Sequence, residues 1–196
     1  MRKQITIILF AIVALAQLYV PATMILDREE ILSEGKEFKF RTAPVDPNDP
    51  FRGKYITLSY KDNRVKVDHK PQWESYDGVY AYISSDKNGY ARIDSVSRDK
   101  PSGHLDFLKT DAYMSTENML FVQLPFDRFY MEESKAPVAE TVYAQTMRDT
   151  SQVAFALVNV KNGEAVIKDV MIEGKSLTEI VKERNSIQNA KASPNP

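Results

Sequence analysis

The side chains in this chain that could do chemistry are dispersed. Ser–Lys hydrolysis needs a hydroxyl nucleophile beside a desolvated lysine base. Ser59 with Lys61, and Ser134 with Lys135, supply the residue types, but no flanking motif selects either pair. A carboxylate-pair hydrolase needs two acids held several ångströms apart. Glu132 and Glu133 are adjacent, so on a strand they point to opposite faces, and a solvated acidic turn accounts for them better. His69 and His104 carry the only imidazoles and lie far apart in polar, turn-like contexts, whereas metal sites recruit clustered ligands. Cysteine is absent, which removes disulfides, thiolate catalysis and zinc–sulfur sites. The seven glycines form neither G-x-G-x-x-G nor a P-loop. No catalytic residue, cofactor or metal site is therefore expected, and the reading is of a domain that is not an enzyme.

Aromatic residues are more concentrated. Trp73, Tyr76, Tyr80, Tyr82 and Tyr90 crowd one stretch, with Tyr80 and Tyr82 on one face of an expected strand. They suit cross-strand packing first, and a platform for a sugar or peptide second.

Charge narrows the partners. Of 26 Lys and Arg, Arg2 and Lys3 precede the apolar start, so the remaining 24 face 27 acids, a net of −3. A sequence-independent nucleic-acid binder needs a basic surface, and none is indicated. The 23 residues Gln4–Leu26 hold no charge. As a helix they reach about 34 Å, enough for a hydrocarbon core of about 30 Å. Arg2 and Lys3 before this run put the N-terminus inside and the remainder outside the cytoplasmic membrane. Ala14-Leu15-Ala16 also fits a signal-peptide cut. The chain stays apolar well past that point, through Leu26, which favours an uncleaved anchor. An exported domain without disulfides points to a bacterial envelope.

The exported part reads as many short strands. Residues 27–35 form a helical stalk closed by Gly35. Lys36–Thr42 alternates, with Phe38 and Phe40 on one face. Lys54–Lys61 reads as one strand, returning through Val65 and Val67. Asn88-Gly89 joins Gly78–Asp86 to Tyr90–Ser97 as a type I′ hairpin, and Asn162-Gly163 does the same for Gln152–Val160 and Glu164–Ile172. Asn118–Leu124 and Phe129–Glu132 are further strands. Pro137–Asp149 is a helix with Val138, Val142, Tyr143 and Met147 as its apolar stripe. Ser176 and Glu179 have capping-box spacing for a helix to about Arg184, before a polar tail over 185–196. The fold class is mainly β: a compact antiparallel sandwich or partly open barrel over 36–184 with one covering helix, preceded by the membrane helix of 1–26.

One segment is distinctive. Asp46, Asp49 and three prolines form a turn region ahead of Arg52-Gly53-Lys54-Tyr55-Ile56-Thr57-Leu58-Ser59-Tyr60. This resembles the GDYXXLXY proteins, a bacterial membrane-associated family named for its motif. Gly53, Tyr55, Leu58 and Tyr60 match, and Lys54 stands where the family has Asp, a reversal of charge. The apolar N-terminal helix and Arg128-Phe129-Tyr130-Met131-Glu132-Glu133 are similar to the family as well. The resemblance implies a partner that is a multi-pass membrane protein.

Read from the residues, Gly53 permits a bend before the strand. Arg52 could pin the Asp-Pro loop through Asp46 or Asp49. Tyr55 falls on the face opposite Leu58 and Tyr60. Either the strand is covered on both sides or a bulge near Ile56 rephases it. The motif is expected to be mainly structural. The functional expectation is a membrane-anchored, extracytoplasmic accessory or interaction domain. An envelope ligand-binding module using an aromatic or Asp-Pro-loop surface is the alternative, and a cryptic Ser/Lys hydrolase the third reading.

Overall fold

The uncharged N-terminal run forms a single helix, α1, over Arg2–Glu34, with Pro21 inside it. In the computed structural model this helix is long and apolar enough to span a membrane, and its large apolar side chains from Ile5 to Leu26 are exposed. The structure describes residues 2–43, 55–67, 75–103, 105–116, 118–148 and 152–192. The last two turns of α1 are seated on the domain. Ile31 is buried, and Asn159 Nδ2 donates to the Leu32 carbonyl at 2.7 Å. Lys161 Nζ bridges the Glu30 and Glu34 carboxylates, the latter at 2.5 Å. Arg28 Nη1 donates to the Ala165 carbonyl at 3.3 Å. Gly35 then turns the chain, its N–H reaching Ile31 O at 2.9 Å, and a β-carbon there would collide with that carbonyl.

Twelve strands follow among the described residues: β1 Lys36–Ala43, β2 Tyr55–Thr57, β3 Ser59–Tyr60, β4 Arg64–Lys66, β5 Ser75–Ser85, β6 Ala91–Ser97, β7 Phe107–Thr116, β8 Met119–Gln123, β9 Arg128–Tyr130, β10 Ala154–Lys161, β11 Glu164–Ile172 and β12 Lys175–Ser176. Helix α2, Ala136–Arg148, precedes β10, and α3, Leu177–Ala192, follows β12. One five-stranded sheet has the order β12-β11-β10-β1-β3, the other β4-β8-β7-β5-β6. The outer strands β4 and β6 of the second sheet approach each other, so that sheet is a nearly closed barrel. Between the sheets pack Phe38, Phe40, Leu108, Val122, Val158 and Val170. The expected β-rich sandwich or partly open barrel is what forms.

The alternation of β1 is clear: Phe38, Phe40 and Thr42 are buried, their neighbours are not. The hairpin at Asn162-Gly163 has φ of 53° and 89°, both positive, as a type I′ turn requires. The Asn88-Gly89 hairpin differs from expectation. Gly89 alone has positive φ there, and Asp86 N–H donates to Tyr90 O at 2.7 Å. Its carboxylate accepts from the Asn88 and Tyr90 N–H groups at 2.8 and 2.9 Å. This is a three-residue type I turn closed by a glycine bulge. Two helices cover the domain, not one: α3 packs beside α2, burying Leu177 and Val181, and runs past Arg184 to Ala192. Strand β7, to which the sequence reading assigns nothing, lies between β5 and β8 in the barrel.

Candidate functional site

The expected Lys54–Lys61 strand is broken at Leu58, and each half joins a different neighbour. Tyr55, Ile56 and Thr57 pair with Tyr130, Phe129 and Arg128 as a two-stranded ribbon. Ser59 and Tyr60 pair with Ala43 and Thr42 at the end of β1. At the junction the Leu58 N–H donates to Asp127 O at 2.7 Å. No bulge at Ile56 rephases the chain. Ile56, Leu58 and Tyr60 are all buried, at 3, 3 and 6% exposure. The Tyr60 hydroxyl donates to Phe126 O at 2.8 Å, and its ring packs edge-on to Phe126 at 5.3 Å. Burial pushes the Tyr60 phenol well above its ordinary pKa, so it stays protonated and acts as a donor.

The opposite face of the ribbon is open. Phe129 packs against the core, which turns Arg128 and Tyr130 outward beside Tyr55. The Tyr55 and Tyr130 ring centroids lie 5.4 Å apart. The Arg128 guanidinium sits over the Tyr55 ring at 5.0 Å from its centroid. Tyr130 is 63% exposed. Arg128 is a permanent cation, as any guanidinium is, and the Tyr130 hydroxyl, and after it Tyr55 and Asp127, raise its pKa further. A guanidinium held over one ring and beside another can stack on, or hydrogen-bond to, a partner's planar or anionic group. The sequence singles out both motifs, and the structure makes them one surface.

The other expected residues are arranged as follows. Glu132 occupies the turn before α2, where Ser134 Oγ donates to it at 2.9 Å and Lys135 forms an ion pair with it. Lys135, then Ser134, hold the Glu132 carboxyl below its usual range. Both members of that Ser–Lys pair thus serve one exposed carboxylate. Glu133 is exposed in the same turn. Lys61 is exposed, so it lacks the desolvation a lysine base beside Ser59 would need. Tyr80 packs edge-on to Phe107, and Tyr90 to Phe155, each at 5.7 Å. Tyr80 and Tyr90 thus take part in separate ring contacts, and the side chain of Tyr76 lies outside the described residues. Asp46, Asp49, Arg52, Gly53, Lys54, His69, Trp73 and His104 lie outside the described residues. Among the described residues no group of three His, Asp or Glu could hold a metal.

Sequence reasoning missed Arg41. It forms a forked pair with Asp62 at 2.9 and 3.2 Å, reaches Asp86 at 3.4 Å, and covers the Tyr90 ring at 5.1 Å. Asp62 raises its pKa first, with Asp86 and Tyr90 adding to the effect. The network ties the end of β1 to the turn before β4 and to the β5–β6 hairpin. Its partners are remote in sequence, and no local signal could show it.

The family model described as GDYXXLXY protein matches residues 17–170. No curated protein and no solved structure matches the chain.

Proposed function

The chain belongs to the GDYXXLXY family, and from that premise we propose that it is a membrane-anchored interaction domain. It docks on an integral membrane partner through the open face of the β2–β9 ribbon. One observation carries this reading: the outward residues of two separate motifs, Tyr55 with Arg128 and Tyr130, converge on one exposed aromatic and cationic surface. Residues needed only for folding would be buried, as Leu58 and Tyr60 are. Exposed tyrosine and arginine are the types that anchor interfaces.

In this reading α1 is retained and crosses the cytoplasmic membrane once, N-terminus inside, with the domain outside. The seating of residues 28–34 on β10 and β11 supports it, because the domain is then held against the bilayer at a set angle. A cut after Ala16 would leave Leu18 to Leu26 as an exposed apolar arm, which a soluble product would not tolerate well.

The test is co-purification of the full-length chain in mild detergent after brief cross-linking. Retention of one membrane protein by the parent chain, and its loss in Arg128→Ala with Tyr130→Ala, is the expected outcome. Equal recovery with parent and variant would reject the ribbon as the docking face. The second reading is capture of an envelope ligand at the same place, supported by the guanidinium on the Tyr55 ring. Binding of soluble glycan or peptide fragments that Arg128→Ala abolishes, with no protein partner recovered, would favour it.

A further inference from the structure

The centre of α1 carries polar groups that lipid cannot satisfy. The uncharged run 4–26 is centred on Leu15, and Gln17 lies about 3 Å further along the axis. The Gln17 side chain is exposed on the helix. Pro21, four residues on, is inside the same helix and has no N–H. The Gln17 carbonyl therefore lacks the donor that every regular turn provides. One residue thus presents a carboxamide and a freed backbone carbonyl at nearly one depth. Thr23, by contrast, is satisfied within the helix, its hydroxyl donating to Val20 O at 2.9 Å.

We propose that α1 pairs in the membrane with α1 of a second copy of this chain through Gln17, a proposal that rests on the anchor reading above. Apolar helices gain little from meeting in lipid, and interhelical hydrogen bonds and close packing decide which face is used. A carboxamide is both donor and acceptor, so it complements itself. Two copies of the same topology are parallel, with Arg2 and Lys3 at one membrane surface and Asp27 to Glu30 at the other. A two-fold pair then sets Gln17 opposite Gln17 at equal depth. Each NH2 donates to the partner's side-chain oxygen or to its freed carbonyl. Ala14 and Pro21 flank Gln17 on the same helix face, and their short side chains let the backbones approach.

The absence of cysteine makes the test clean. Single substitutions on the Gln17 face, Val13→Cys and Met24→Cys, and on the opposite face, Leu15→Cys and Ala22→Cys, are introduced into the full-length chain. Disulfide dimers are then measured in carbonate-washed membranes. Dimers are expected from the first pair and not the second. Adding Gln17→Leu should lower their yield about fivefold or more, and Gln17→Asn should retain it. Equal yields on both faces, or a yield indifferent to Gln17→Leu, would overturn the pairing while leaving the anchor intact. Release of the chain by carbonate would overturn the anchor and the pairing together. Loss of a different membrane protein on Gln17→Leu, from a chain that stays monomeric, would assign the carboxamide to that protein and reject the second copy.

Discussion

Tyr55 and Tyr130 stand directly opposite each other across the β2–β9 ribbon, with ring centroids 5.4 Å apart and planes inclined at 57°. They come from the two segments that most distinguish the sequence. Arg128 completes the group from above the Tyr55 ring. A cross-strand aromatic pair of this kind contributes roughly 0.5–1 kcal/mol beyond its separate residues. A double-mutant cycle of Tyr55→Ala and Tyr130→Ala on the full-length chain in detergent should return a coupling of that size in thermal or urea melts. Strict additivity would mean the rings do not interact in solution.

The buried half of the motif should respond differently. Tyr60→Phe keeps the ring in the Phe40–Phe126 cluster and removes only the donor to Phe126 O. An orphaned buried carbonyl costs about 1–3 kcal/mol. A loss of that size lowers the melting temperature by a few degrees in a domain of this length, roughly 2–4 °C per kcal/mol. An unchanged melting temperature would show that water reaches the Phe126 carbonyl.

The seat of α1 predicts local behaviour. Asn159 is buried and supplies its amide to the Leu32 carbonyl, while Lys161 holds two carboxylates of the same helix end. Hydrogen bonding to Lys161 keeps the Glu34 carboxyl below its usual range. Asn159→Ala should speed amide exchange from about Ile31 to Gly35 and leave the β5–β7 pairing unchanged. Uniform acceleration across the domain would mean that the junction is part of the global folding unit.

The Asp86 turn predicts a pH effect whose sign is set by its bonds. The backbone N–H of Tyr90, and then that of Asn88 with Arg41 and Arg92 nearby, lower its pKa from an ordinary 3.8. A depressed folded value means that the contribution is complete above that ordinary value and is lost as pH falls through the folded one. Asp86→Asn keeps one accepting oxygen but no charge. It should melt below the parent at neutral pH, and the gap should close as pH falls below 3.8 and through the lowered folded value. A gap that persists unchanged in acid would place the effect in turn geometry alone.

Much of this architecture is legible in local pattern, and what is not depends on remote partners. Phe38 and Phe40 announce β1 because one sheet face is buried and the other is not. Asn162-Gly163 announces its hairpin because two successive residues take positive φ. Strand β7 escapes notice because its inward residues include Thr110 and Ala112 beside Leu108, which dilutes the apolar alternation. The break at Leu58 is set by β9 and β1, which are distant in the chain. The aspartate at position 86 accepts from two N–H groups and so lengthens a turn that the Asn-Gly pair alone would make tight. Of the candidate site, the residue types of both motifs are visible in the sequence, but their meeting is not.

The motif divides by face: Ile56, Leu58 and Tyr60 build the core, and Tyr55 with Arg128 and Tyr130 forms the open face proposed for docking. The most direct measurement pairs thermal melting with partner recovery for Leu58→Ala and Tyr130→Ala in the full-length chain. Leu58→Ala should cost about 2–5 kcal/mol and depress the melting temperature clearly. Tyr130→Ala should melt within about 0.5–1 kcal/mol of the parent and still lose its membrane partner. A Leu58→Ala chain that melts like the parent, or a Tyr130→Ala chain that retains the partner in full, would contradict that division.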